Sequence, residues 1–185
     1  MMSCAQHIKP SIMELGGKSA SLLFPDVDIQ AACQRAIFWT IGIMAGQGCA
    51  LPTRLLVHED IFDETLETLK AIASKFKVGD PFEAGVLVGP VINSAARDRI
   101  MAMLETVKSN GDGRIVMGGN LCGGTLAGGN FIEPTIITDA PIDSEISQNE
   151  IFGPVLLVNR FKDEDDAVNM ANATAYGLAA YIQTN

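Results

Sequence analysis

Basic and aromatic side chains are scarce in this chain. Lys and Arg together number 13 against 22 Asp and Glu, and there are 1 Trp, 2 Tyr and 2 His. A net charge of −9 argues against following a nucleic-acid backbone or lying on an anionic membrane, both of which require a basic face, so neither partner is expected. Long apolar runs are missing as well: the most apolar stretch, residues 36–45, falls far short of the roughly 20 residues a membrane span needs. The opening MMSCAQHIKP carries no apolar segment of the secretory-signal kind. None of the 4 cysteines (Cys4, Cys33, Cys49, Cys122) stands in a CxxC pair, which argues against a structural zinc site. A core-rich chain of 185 residues has no need of a disulfide framework, so a reducing, cytoplasmic setting is the expectation.

What is present is an ordinary globular composition, 48% hydrophobic and 19% charged, in a length that suits one domain with at most a small appendage. Apolar runs of strand length alternate with stretches of helical period. Strands are predicted over 19–24, 53–58, 114–117, 131–138, 154–161 and 178–183. Helices are predicted from Ile29 to a stop at Gly46, and over 59–76, 93–109 and 163–173. Asp26 or Asp28 can cap the first helix, and Asn110-Gly111 ends the third. This alternation implies an α/β fold, three layers αβα around a mostly parallel sheet, with its chemistry expected along the carboxyl edge of the strands. The segment GGNLCGGTLAGGN, with glycine pairs at 118, 123 and 128, reads as a hairpin connection in which Cys122 is exposed and oxidisable.

MELGGKSA, residues 13–20, ends as a phosphate loop ends. Yet Ile12 occupies the place of the loop's first glycine, and a strand rather than a helix follows, so a nucleotide-phosphate cradle is not expected there.

Among the thiols, Cys33 lies on an apolar helix stripe, Cys122 in a glycine loop and Cys4 near the terminus. Cys49 follows Gly46-Gln47-Gly48, whose glycines break a helix and deliver the thiol at a loop. It is either a small buried hydrophobe or a nucleophile, and a nucleophile needs a base and a nearby backbone amide for the oxyanion. His58 cannot be that base, because an extended strand over 53–58 carries it roughly 16 Å from the Cys49 loop. His7 sits near the terminus, where a solvated residue is the simpler reading. Glu14 is the carboxylate candidate: either a solvated surface group, or a general base in a partly apolar cleft kept open by Gly16 and Gly17. Glu150 and Phe152, in Asn149-Glu150-Ile151-Phe152-Gly153-Pro154, form either a capped turn or a site that holds a ribose by its hydroxyls and covers a flat ring.

Taken in order, ELGGKS at 14–19, GQGC at 46–49 and EIFGPV at 150–155 resemble the signature set of the NAD(P)-dependent aldehyde dehydrogenase superfamily, and PDVDI, FIEPTI and YGLAAYI are similar to it too. The resemblance covers nearly the whole chain. It implies that Cys49 attacks an aldehyde, that hydride passes to NAD or NADP, and that water activated by Glu14 hydrolyses the thioester to a free acid. It also implies that Glu150 binds the nicotinamide ribose, that Phe152 packs near the nicotinamide, and that the Leu15 backbone approaches the carboxamide.

Met44 stands where members of that family commonly have asparagine. Family chains are also much longer. The resemblance therefore implies a fragment: residues 1–16 as the tail of a dinucleotide-binding domain and linker, and 17–185 as an incomplete catalytic domain. Such a chain is expected to be weakly active or inactive alone and a homo-oligomer at full length. Two other readings remain open: a cofactor-independent thiol esterase, and a non-catalytic truncated domain that associates through exposed edges.

Overall fold

A computed structural model describes residues 1–185. In chain order the elements are α1 (Met2–Ala5), β1 (Ala20–Leu23), α2 (Ile29–Ile37), β2 (Arg54–His58), α3 (Phe62–Ala73), β3 (Lys77–Val78), β4 (Val86–Val88), α4 (Ser94–Asn110), β5 (Arg114–Met117), β6 (Thr135–Thr138), α5 (Glu145–Gln148), β7 (Val155–Phe161), α6 (Glu164–Ala171) and β8 (Ala180–Gln183). The strands form a 6-stranded sheet in the order β5-β6-β7-β2-β1-β8, with β3 and β4 paired apart from it. All neighbours in the large sheet are parallel except β5 and β6, which the glycine-rich segment joins as an antiparallel hairpin.

Strand alternation builds the three layers. Leu55 and Val57 of β2 and Leu156 and Val158 of β7 face α2 and α3, where Cys33, Ile37, Phe62 and Leu69 complete the largest core. Val155 and Leu157 of β7 point the other way, onto Ile100, Leu104 and Val107 of α4. Leu22 and Leu56 share that second face with Ala167 of α6. Strands buried on both faces are continuous apolar runs, which is why they were visible in the sequence.

Three of the helices, α2, α4 and α6, start at side-chain caps. Asp28 Oδ1 accepts from Ala31 N at 3.0 Å, Asn93 Oδ1 from Ala96 N at 2.8 Å and Asp163 Oδ1 from Asp166 N at 2.9 Å. Gly111, at φ 72°, closes α4 as expected. Several bounds differ from the sequence reading. The strand predicted from residue 131 begins at Thr135, because Pro134 has no N–H to give a ladder. The helix predicted to run to Gly46 keeps α-geometry only to Ile37, then passes through a π turn, Phe38–Gly42, and a tight turn, Ile43–Gly46.

Candidate active site

Parallel pairing sets Ala20 of β1 beside Arg54 of β2, and Arg54 beside Leu157 of β7, so the segments entering these three strands lie side by side. Those segments carry the residues singled out above. Glu14, Leu15, Cys49, Glu150 and Phe152 all line one cavity of about 440 Å³. The site is thus at the amino edge of the strands and not at the carboxyl edge expected from strand-helix alternation. The reason is close packing of the entering backbones, which only glycine permits. A Cβ on Gly17 would fall inside the carbonyl oxygen of Cys49, and one on Gly46 inside that of Gly153.

Polar contacts hold the same three segments together. Gly17 N–H donates to Glu150 Oε1 at 2.9 Å, while Oε2 accepts no hydrogen bond within the chain. Arg99 of α4 reaches across to the loop before β7, donating to Glu150 O at 3.2 Å and Ile151 O at 2.6 Å. That loop is bent: Phe152 has φ 56°, a left-handed conformation that large side chains rarely adopt. Met44, at φ 48°, and Ala45, at φ 50°, are left-handed too, and Met44 lines the cavity.

Cys49 is half-buried, and its backbone N–H donates to no group of the chain, which leaves it free for an oxyanion. Glu14 borders the cavity, which Leu15, Met44 and Phe152 also line, but is itself exposed. Neither histidine takes part: His7 is exposed near the terminus, and His58 packs edge-on to Phe161, with Nδ1 accepting from Asp60 N at 3.3 Å.

The remaining thiols differ from Cys49. Cys33 is fully buried, and burial with Glu64 nearby pushes its thiol up to about 12. Cys122 was expected to be exposed; it is half-buried beside Glu133, and its thiol is likewise raised, by burial first and by that charge second.

Four residues of the site's surroundings had escaped sequence reasoning: Lys18, Gln47, Arg54 and Arg99. Gln47 stood inside GQGC without a role. Lys18 belongs to ELGGK but is only 2% exposed, and its Nζ has no hydrogen-bond partner. Burial, then the Arg54 charge, lower it to about 7 against a weaker opposing pull from Glu150. Nothing in the sequence signals a buried lysine there. Chemically, the cavity offers a thiol, a free amide donor, a carboxylate at its rim, and a second carboxylate beside an aromatic ring.

The model of the aldehyde dehydrogenase family matches residues 1–185. The chloroplastic betaine aldehyde dehydrogenase of Atriplex hortensis is 43% identical over 98% of this chain and 36% of its own length. The peroxisomal aminoaldehyde dehydrogenase 1 of Malus domestica is 42% identical over 98% of this chain and 36% of its own. Among solved structures, the NAD+ complex of Staphylococcus aureus betaine aldehyde dehydrogenase superposes with a TM-score of 0.92 at 34% identity, covering 100% of this chain and 36% of that one. A Pseudomonas syringae aldehyde dehydrogenase C mutant with NAD+ and octanal gives 0.92 at 32% identity, covering 100% and 38%. The chain therefore spans little more than a third of the length of the proteins it is similar to.

Proposed function

The chain belongs to the aldehyde dehydrogenase family, and from that premise we propose that it forms the thiol-bearing part of an enzyme that oxidises aldehydes to carboxylic acids. One observation carries the reading: Cys49, Glu14, Leu15, Glu150 and Phe152, drawn from three distant segments, border a single cavity.

In this reading the Cys49 thiolate attacks the carbonyl carbon. A C–S bond forms, and the carbonyl electron pair moves to oxygen, which the free Cys49 N–H stabilises. NAD or NADP, when bound, supplies the acceptor for the hydride lost as the adduct becomes a thioester. Glu14 then takes a proton from water, which adds to the thioester carbonyl. The C–S bond breaks, the acid leaves and the thiolate returns. The residues present fit a dinucleotide's nicotinamide end: the unbonded Oε2 of Glu150 suits a ribose hydroxyl, Phe152 suits a flat ring, and the exposed Leu15 offers its backbone at the rim.

Residues 1–16, nearly all exposed, would be the end of a cofactor-binding portion, and 17–185 the catalytic portion. The cofactor contacts named here all lie at the nicotinamide end, so the 185 residues alone should bind a dinucleotide weakly and turn over slowly. No helix is long and apolar enough to cross a membrane, and the 4 free thiols favour a reducing compartment, the cytoplasm in our reading. Exposed Phe38, Trp39 and Ile182 favour assembly with further copies in the whole protein. Betaine aldehyde and an aminoaldehyde are the first substrates to try, because the relatives are named for them.

The test is acylation with an activated ester, followed by mass spectrometry. Cys49 should carry the acyl group, Cys49→Ser should abolish the burst, and Glu14→Gln should let the acyl-enzyme accumulate. A burst of undiminished size in Cys49→Ser, or a parent protein acylated elsewhere than Cys49, overturns the assignment. Acylation needs no cofactor, which supports thiol esterase activity as a second reading for the isolated chain. Efficient NADH production by the 185 residues would overturn the expectation of slow turnover.

A further inference from the structure

Met44, Ala45 and Gly46 are left-handed in succession, with φ of 48°, 50° and 74°. One turn of left-handed helix is costly at every residue that has a Cβ, and here it stands three residues before the thiol. Something must hold it. Gln47 follows directly, and its side chain spends both ends on the task. Nε2 donates to Met44 O at 2.8 Å and to Pro90 O at 3.3 Å, and Oε1 accepts from Ile92 N at 2.8 Å. The Gln47 backbone N–H also donates to Met44 O, at 3.1 Å, so one carbonyl of the strained turn receives two bonds from one residue. Gly46, pressed on the Gly153 carbonyl, blocks the turn from sliding but cannot fix the rotation of the Met44 peptide.

We infer that Gln47 is a positioning residue for Cys49: its side-chain amide clamps the left-handed turn to the Pro90–Ile92 segment and so fixes where the thiol enters the cavity. Released from the clamp, the turn relaxes toward right-handed geometry, and the half-buried thiol moves outward. The inference rests on Cys49 being the working thiol. Its readout, however, needs neither aldehyde nor dinucleotide, so the two can fail separately.

The test is the rate of iodoacetamide labelling at each cysteine, mapped by mass spectrometry, with Cys4 and Cys122 as internal references and buried Cys33 as a monitor of general unfolding. Gln47→Ala should raise the Cys49 rate about threefold or more relative to the references, with Cys33 still unlabelled. Gln47→Glu keeps an acceptor for Ile92 N but loses the donor to Met44 O and Pro90 O. It should give the same acceleration, and it serves if the alanine variant does not fold. Adding Met44→Asn, a residue that tolerates the left-handed conformation, should return the rate toward that of the parent. A Cys49 rate unchanged in both Gln47 variants, an acceleration shared by all 4 thiols, or one that Met44→Asn does not reverse would overturn the inference.

Discussion

Gly17 N–H and Glu150 Oε1, 133 positions apart in the chain, meet at 2.9 Å. The bond ties the segment leading into β1 to the one leading into β7, and it forms only because Gly17 also lies against the Cys49 carbonyl without a Cβ between them. Gly17→Ala should therefore push these backbone segments apart and cost on the order of 3 kcal/mol. Urea unfolding should show it as a lower midpoint at unchanged slope.

Removing the acceptor tests the other half of the contact. Glu150→Gln retains an oxygen for Gly17 N–H and should cost less than about 1 kcal/mol, whereas Glu150→Ala leaves that partly buried donor unpaired and should cost about 1–3 kcal/mol. Equal midpoints for the two variants would show that the bond contributes nothing to stability.

Lys18 gives the fold a pH dependence of known sign. Its folded-state value is lowered from 10.5 to about 7, chiefly by burial. Between those limits the unfolded chain binds the proton more tightly than the folded one, so stability rises as pH climbs from about 7 toward 10.5. Below pH 7 the cost of burying the charge is present in full. Lys18→Met should raise stability at pH 6 by on the order of 3 kcal/mol and flatten this slope. Melting temperatures recorded from pH 6 to pH 10 would check both.

How much of this was legible in the sequence depends on whether a feature is local. Leu55-Leu56-Val57 and Val155 through Val158 announce buried parallel strands because both faces are covered, and Asp28, Asn93 and Asp163 announce helix starts because caps act within three residues. The site residues were legible as three motifs. Their meeting at the amino edge was not, since it follows from strand order and from close contacts of Gly17 and Gly46 with distant carbonyls. Met44 and Ala45 are poor candidates for left-handed geometry, and the side chain that ties their turn to the distant Pro90 and Ile92, Gln47, carries no sign of that in the sequence. Strands β3 and β4, of 2 and 3 residues, are too short for any period to show.

Thiol chemistry should sort the cysteines by environment. Cys33, held at about 12 and fully buried, presents almost no thiolate at pH 8. Peptide mapping after brief iodoacetamide treatment of the native protein should find Cys49 labelled, Cys122 labelled more slowly because its thiol is raised, and Cys33 unlabelled until denaturant is added. Early labelling of Cys33 would contradict the core described for α2.

Arg54, at the head of β2, joins three strand and helix ends through one guanidinium. It donates to Lys18 O at 2.9 Å, Met170 O at 2.8 Å and Ala171 O at 2.7 Å, and the residue is only 5% exposed. Arg54→Met leaves those carbonyls without a donor and should cost on the order of 3 kcal/mol. Arg54→Lys should recover only part of this, since a single ammonium cannot span the fork. A further consequence follows from charge. Arg54 repels the Lys18 ammonium, so removing it relieves some strain at Lys18 and conceals part of its own cost. In a Lys18→Met background that relief is gone, and the same Arg54→Met change should cost more. A double-mutant cycle at pH 6 reads the difference, which should shrink as Lys18 loses its proton above pH 7; a coupling of opposite sign, or one indifferent to pH, would mean that the two cations do not sense each other.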